Sequence, residues 1–369
     1  MIFRSIYNKP VLLAGNGIRS ADAVDMLHEF AKKTNIPVLT TMNAVDLAQD
    51  ELHIGYIGTH GNRVANMILN ECDLLVSIGA RLGIRQVGRN AERFAPKADL
   101  VRCEIDEYEL SRNIKPNEKK YHTDARDFFR LLMEENVGDF SHWKAQCMKA
   151  KELLADIDCQ PGNHAVEKIS SLLPENPVIS VDVGMSQCWC AQSLHLKGHA
   201  GRIHISGGFG IMGCALPYAI GSSIAMKGAK TYCISGDGGF QMNIQELETV
   251  KREKLPIKIF ILNNHALAKI SETQHYSCDD RFAATAFSGG YTVPNFRKIA
   301  EAYGIRAAAL PSYNDLDNYL EWINDDEPCL FDIDLPENSL LTPKINFESG
   351  VILPKLPDDI KEQVFRILQ

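Results

Sequence analysis

No Cys-x-x-Cys pair occurs anywhere in the 369 residues, although the chain holds ten cysteines. That spacing marks zinc and thiol–disulfide sites, so neither is among the functions the sequence suggests. Cys188 and Cys190 are the nearest pair, and in a chain of this length they read as reduced thiols rather than a disulfide framework. Basic clusters are missing too: 39 Lys and Arg are scattered among 47 Asp and Glu, for a net charge of -8. Nucleic-acid binding needs a concentrated positive face, so that class is set aside. No apolar run approaches the roughly 20 residues of a membrane span. The opening segment MIFRSIYNKPVLLAGNG lacks the basic region, long apolar core and cleavage site of a secretory leader. The expectation is a cytoplasmic protein that engages neither nucleic acid nor membrane. What is abundant is apolar content, 45% of residues, enough for two or three globular cores.

Two segments repeat one pattern: a short apolar strand, a glycine-containing turn, then an amphipathic helix. Such a pattern belongs to α/β folds, here two domains with parallel sheets and crossover helices. In the first, Pro10 to Ala14 predicts a strand, Gly15-Asn16-Gly17 a turn, and Ala21 to Lys33 a helix with Ala23, Met26, Leu27, Phe30 and Ala31 at helical spacing. Further strands are expected at Pro37 to Thr41, Asp73 to Ile78 and Leu100 to Ile105. A polar stretch around Trp143, ending in the turn signal Gln160-Pro161-Gly162, suits an interdomain connection. The second domain is expected to place strands at Val178 to Val183, Lys230 to Ser235, Ile257 to Leu262 and Cys329 to Asp334. Its helices are expected at Ala165 to Leu173, Met212 to Lys227, Ile244 to Glu253 and Phe296 to Tyr303. The division expected is 1–150, 151–345 and a terminal tail, 346–369.

The strand ending at Ser235 delivers Gly236-Asp237-Gly238-Gly239 to the sheet edge where open α/β folds bind ligands. After one helix and one further strand come Asn263-Asn264. A carboxylate and an amide at neighbouring strand ends are hard oxygen donors of the kind magnesium takes, alongside phosphate oxygens and water. Asp237 is the expected charged ligand, Asn264 the amide ligand, and a backbone carbonyl near Ala266 a third.

Gly-Asp-Gly followed about 25 residues later by Asn-Asn resembles the signature of thiamine-diphosphate enzymes. The stretches IGARLGIRQVG, SGGFGIMGCALPYAIG and GDGGFQMNIQELETV extend the likeness to the acetolactate synthase large subunit, central and diphosphate-binding domains. The resemblance implies thiamine diphosphate and Mg2+ as cofactors, with Val183, Gly184, Met185 and Ser186 on the diphosphate side beside Gly236, Gly238 and Gly239. It places Gly210 and Met212 against the aminopyrimidine; Met212 as the first core residue of the next helix is the alternative. For the first domain it implies FAD, held by Gly15, Gly17, Thr41, Gly58, His60, Gly79, Arg81, Arg85 and Asp106. A central domain that has lost its nucleotide is the alternative there, because Gly83 and Ile84 replace two aspartates of the family pattern.

The family's activating glutamate lies on a third, pyrimidine-binding domain, so no catalytic residue is assigned within 1–369. Glu246, Glu248 and Glu272 read as surface carboxylates. The expectation is a pyrimidine-domain polypeptide or subunit as partner, within a homo-oligomer. After Asn264 the family's Gly-Met-Val and Trp are replaced by Ala268-Lys269-Ile270 and Thr273, which implies a changed acceptor pocket, with His265 and Lys269 as solvated surface residues the alternative. The function implied is a carboligase acting on a 2-oxo acid such as pyruvate. A 2-oxo acid decarboxylase and a non-catalytic thiamine diphosphate or flavin-binding module are the alternatives.

Overall fold

The computed structural model describes residues 2–3, 6–48, 52–198, 200–337, 339–346 and 350–369. The chain divides into two compact units, residues 1–158 with 342–369, and residues 159–341.

The first unit is built on six parallel strands: β1 (Pro10–Ala14), β2 (Val38–Thr40), β3 (His53–Tyr56), β4 (Leu74–Ile78), β5 (Asp99–Glu104) and β6 (Lys119–His122). Their order is β3-β2-β1-β4-β5-β6. Alternate residues of β1 serve opposite faces: Leu12 and Ala14 join one apolar cluster with Leu27 and Phe30. Val11 and Leu13 join another, with Ile68 and Trp143. Both faces are therefore covered by helices, which is why the strand is a continuous apolar run. The helix expected from Ala21 runs instead over Val24–Thr34, because Asp22 adopts a left-handed φ of 52° that a helix cannot include. β3 and β6 were not legible: β6 alternates half-buried and exposed residues at the sheet edge.

Residues 358–368, set apart by sequence as part of a tail, form a helix that buries Val364 and Leu368. These two join the cluster containing Trp143 and Cys147 of helix Ser141–Leu153.

The second unit holds β7 (Val178–Val181), β8 (Arg202–Ile205), β9 (Thr231–Gly236), β10 (Ile257–Asn263), β11 (Arg306–Leu310) and β12 (Cys329–Asp334). They are parallel, in the order β11-β12-β10-β9-β7-β8. All seven residues of β10 are buried, as suits a central strand. The turn read at Gln160-Pro161-Gly162 is a helix start: Gln160 caps helix Pro161–Leu172, and Pro at the first position lacks only an N–H the helix would not use. Ile244 to Glu253 divides into a 3-10 turn, Ile244–Glu246, and a short helix, Leu247–Arg252. The helix expected from Met212 begins at Ala215, since Gly213 has φ 82°.

Candidate cofactor and metal site

In open α/β sheets the binding crevice lies beyond the carboxyl ends of the strands where the strand order reverses. In the second unit that reversal falls between β7 and β9, since β8 lies on one side of β7 and β9 on the other. Asp182 and Gly184 follow β7; Gly236 ends β9 and Asp237 opens helix Asp237–Gln241.

Asp237 is 2% exposed. Its Oδ1 accepts from the Gly238 N–H at 2.6 Å and its Oδ2 from the Ala266 N–H at 3.1 Å. Burial pushes its carboxyl up to about 6, against these two bonds, which favour the charged form. Neither main-chain donor brings a positive charge, so a cation here would relieve the cost of burying the carboxylate. Asn263 and Asn264, adjacent in sequence, differ in environment. Asn263 donates from Nδ2 to Asp332 Oδ1 at 2.9 Å and accepts from the His265 N–H at 3.2 Å. Asn264 is 4% exposed and its Nδ2 has no protein partner. Nδ2 is a donor, so what the fold leaves unused at the second asparagine is a hydrogen bond to give, which suits a phosphate oxygen. Ala266 meets Asp237 through its N–H; His265, at φ 56°, turns the chain so that it can.

Among the described residues no three His, Cys, Asp or Glu side chains cluster to hold a metal. One carboxylate and one amide form an incomplete cage, which fits a magnesium ion that takes its remaining oxygens from main chain, water and a bound diphosphate. Space for that group exists: a methyl built on Gly236 or on Gly184 meets no atom within 4 Å. Gly184, at φ 117°, is also held to glycine by its backbone. The other two glycines have a different reason. A methyl on Gly238 would lie 2.3 Å from Leu267 Cδ2, and one on Gly239 would lie 2.9 Å from the Asp182 carboxyl carbon. They admit neighbouring side chains rather than phosphate.

Met185 and Ser186 are buried at the start of helix Met185–Ser193, where the Ser186 hydroxyl donates to the Asp182 carbonyl at 3.2 Å. Gly210 adopts φ 65°. Met212 is 36% exposed and precedes its helix, so it is not a buried core residue. Its Cε lies 3.6 Å from the methyl position of Gly238, on which Leu267 and the Tyr291 hydroxyl also converge. Burial and the negative charge of Asp237 push the Tyr291 phenol up. Sequence reasoning missed Asp182 and Tyr291. Asp182 is an isolated acid closing an apolar strand, a readable signal; Tyr291 lies in a loop with none. Glu272, read as a surface carboxylate, is buried and pairs with Lys269 at 2.7 Å. Glu246 is half-buried and Glu248 exposed.

In the first unit the strand order reverses between β1 and β4. There the Gly15 N–H donates to the Ile78 carbonyl and the Gly17 N–H to the Gly79 carbonyl, at 2.9 and 3.1 Å. A methyl on Gly15 would lie 2.1 Å from Gly79 O, so these glycines let two strand-end loops pack together. Thr41 is buried, its N–H bonded to Ala14 O, and Tyr56 donates to the His60 carbonyl. Arg81 pairs with Glu109 at 2.7 Å, and Asp106 caps a short helix by accepting from Tyr108 N and Glu109 N. These two side chains are thus engaged within the fold. Gly58 packs on the Arg85 carbonyl, which also accepts from Thr59 N at 2.9 Å. Arg85 itself is exposed and, with Thr59 and Gln86, lines a cavity of about 480 Å³.

Residues 6–132 match the central domain of thiamine pyrophosphate enzymes, and residues 182–333 match their C-terminal TPP binding domain. The chain therefore belongs to the thiamine pyrophosphate enzymes, of which it carries the central and C-terminal domains. It is 33% identical over 350 residues to the acetolactate synthase large subunit of Lactococcus lactis, covering 92% of this chain and 60% of that one. To the isozyme 2 large subunit of Escherichia coli it is 30% identical over 341 residues, 89% of this chain and 60% of that one. To a probable acetolactate synthase large subunit of Methanococcus aeolicus it is 31% identical over 361 residues, 90% and 59% respectively. The chain spans about 60% of the length of these relatives. Among the described residues no helix is long and apolar enough to cross a membrane.

Proposed function

We propose that this chain is the cofactor-holding part of a thiamine-diphosphate- and magnesium-dependent, acetolactate synthase-like carboligase acting on a 2-oxo acid such as pyruvate. The observation that supports it is a buried carboxylate, Asp237, held by two main-chain N–H donors and by no cation among the described residues, at the strand ends where the sheet order reverses. In this reading Asp237, the Asn264 amide oxygen and a carbonyl at Ala266 hold the magnesium. Gly184 and Gly236 would leave room for the diphosphate, and Met212, beside Leu267 over Gly238, would bear on the organic part of the cofactor. When bound, thiamine diphosphate supplies the nucleophilic carbon and the electron sink for decarboxylating a 2-oxo acid; the protein binds, orients and excludes water.

The relatives are named large subunits, and the activating glutamate is proposed to come from a pyrimidine-binding domain, within a homo-oligomer. FAD in the first unit stays in the proposal through Arg85 alone, since none of the other residues named for it lines the cavity that Arg85 lines.

Calorimetric titration with thiamine diphosphate, with and without magnesium, tests the reading. Binding that requires the metal and is lost in Asp237→Asn is expected; a folded wild-type chain with no binding in the presence of a pyrimidine-domain partner would sink it. With pyruvate, a reconstituted complex that releases only acetaldehyde would replace the carboligase by a decarboxylase.

A further inference from the structure

Asp182 is 1% exposed and accepts hydrogen bonds from three separate segments. The Val183 N–H reaches Oδ1 at 2.8 Å, the Gly213 N–H reaches Oδ1 and Oδ2 at 2.9 and 3.0 Å, and the Ser235 hydroxyl reaches Oδ2 at 3.1 Å. These donors belong to the loop after β7, to the turn before helix Ala215–Ala225, and to β9. Gly239 lies so close that an added methyl would stand 2.9 Å from the carboxyl carbon, so the fourth residue of Gly236-Asp237-Gly238-Gly239 is small on account of Asp182.

We propose that Asp182 is a positioning residue: by accepting from Gly213 and Ser235 together it sets the turn carrying Gly210 and Met212 against the strand end that carries Asp237. The group has to be a carboxylate for a reason of inventory. An ionised carboxylate presents acceptors on both oxygens, whereas an asparagine offers one oxygen and would turn an NH2 donor toward another donor. With the NH2 in the place of Oδ2, the Gly213 N–H keeps only its contact with the remaining oxygen and the Ser235 hydroxyl has to reverse and accept, so the bonds that join the two segments are weakened together. The effect on cofactor affinity rests on the function proposed above; the effect on the turn does not.

The test compares the full chain with Asp182→Asn and Ser235→Ala, the second being a milder change should the first fold poorly. Hydrogen–deuterium exchange is expected to rise about tenfold in peptides covering 210–215 in either variant, while β10 and β12 keep their protection. Half-saturation by magnesium and thiamine diphosphate is expected to rise about tenfold at unchanged stoichiometry, whereas a merely structural role would lower the stoichiometry and leave the affinity of the folded fraction alone. Unchanged exchange at 210–215, or faster exchange spread evenly through the second unit, overturns the proposal. A wild-type chain that does not bind the cofactor would remove the proposed function, and the exchange measurement would still decide the role of Asp182.

Discussion

Nζ of Lys258, the second residue of β10 and a side chain with no solvent exposure, lies 2.9 Å from Oδ1 of Asp325. Trp322 and Glu327 add their carbonyls at 2.5 Å each, and Arg306 reaches the same carboxylate. A buried ammonium survives only with such a set of acceptors. Burial alone would push the Asp325 carboxyl up, but the hydrogen bonds from Arg306 and Lys258 hold it down at about 2, below the usual 3.8. A depressed folded-state value contributes stability above pH ~4, lost as the pH falls toward 2. Asp325→Ala is expected to destabilise the second unit by about 3 kcal/mol and to remove that acid-dependent component. Urea denaturation at pH 7 and pH 3 checks both; a variant as stable as wild type at pH 7 would contradict the account.

At Asp237 the pH dependence runs the other way. The folded-state value of about 6 lies above 3.8, so the unfolded chain ionises first and stability falls as pH rises between those values. Asp237→Asn is expected to lose that pH dependence; at pH 7 the relief of the buried charge is opposed by an NH2 that must face either the Gly238 or the Ala266 N–H, so the magnesium-free chain is expected to stay within about 1 kcal/mol of wild type. Thermal melts between pH ~4 and ~7, with and without magnesium, check it: the variant should show a flatter pH profile and no response to the metal.

Gly162 sits under an indole. A methyl there would stand 2.2 Å from Trp189 Cδ2, and both residues are buried. Gly162→Ala is expected to cost about 1–3 kcal/mol through overpacking, with a shift in tryptophan fluorescence. A neutral outcome by both measures would show that Trp189 has room to move.

The proposed flavin site is tested at Arg85. Titration with FAD followed by visible absorbance should show binding that Arg85→Ala weakens about tenfold, the value of one charge-assisted contact to phosphate. If the wild-type chain leaves FAD free in solution, the flavin falls out of the reading.

The strands at the site were legible because they are buried on both faces: Ile257–Asn263 and Thr231–Gly236 are apolar runs closed by glycine or asparagine. Edge strands were not, since Lys119–His122 carries no apolar pattern and is defined by its pairing with β5. Asp237 and Asn264 could be named from spacing, but the reasons for Gly15, Gly238 and Gly239 could not. Spacing suggests that a glycine approaches a ligand; only the coordinates show that Gly79, Leu267 and Asp182 occupy the places their side chains would take. Helix starts came three residues late where a positive φ intervened, at Asp22 and Gly213.

The helix Asp358–Leu368 packs into the first unit although the whole second unit, 159–341, precedes it in the chain. The Thr342 hydroxyl donates to the Asp158 carbonyl at 2.7 Å, so the point where the chain leaves the first unit is tied to the point where it returns. During synthesis domains fold as they emerge, and here the second is complete before the first has received its last helix. The amino-terminal half must therefore wait on the ribosome with Val364 and Leu368 still missing from its core. A message truncated after residue 341 would yield a finished cofactor fold attached to an unfinished one.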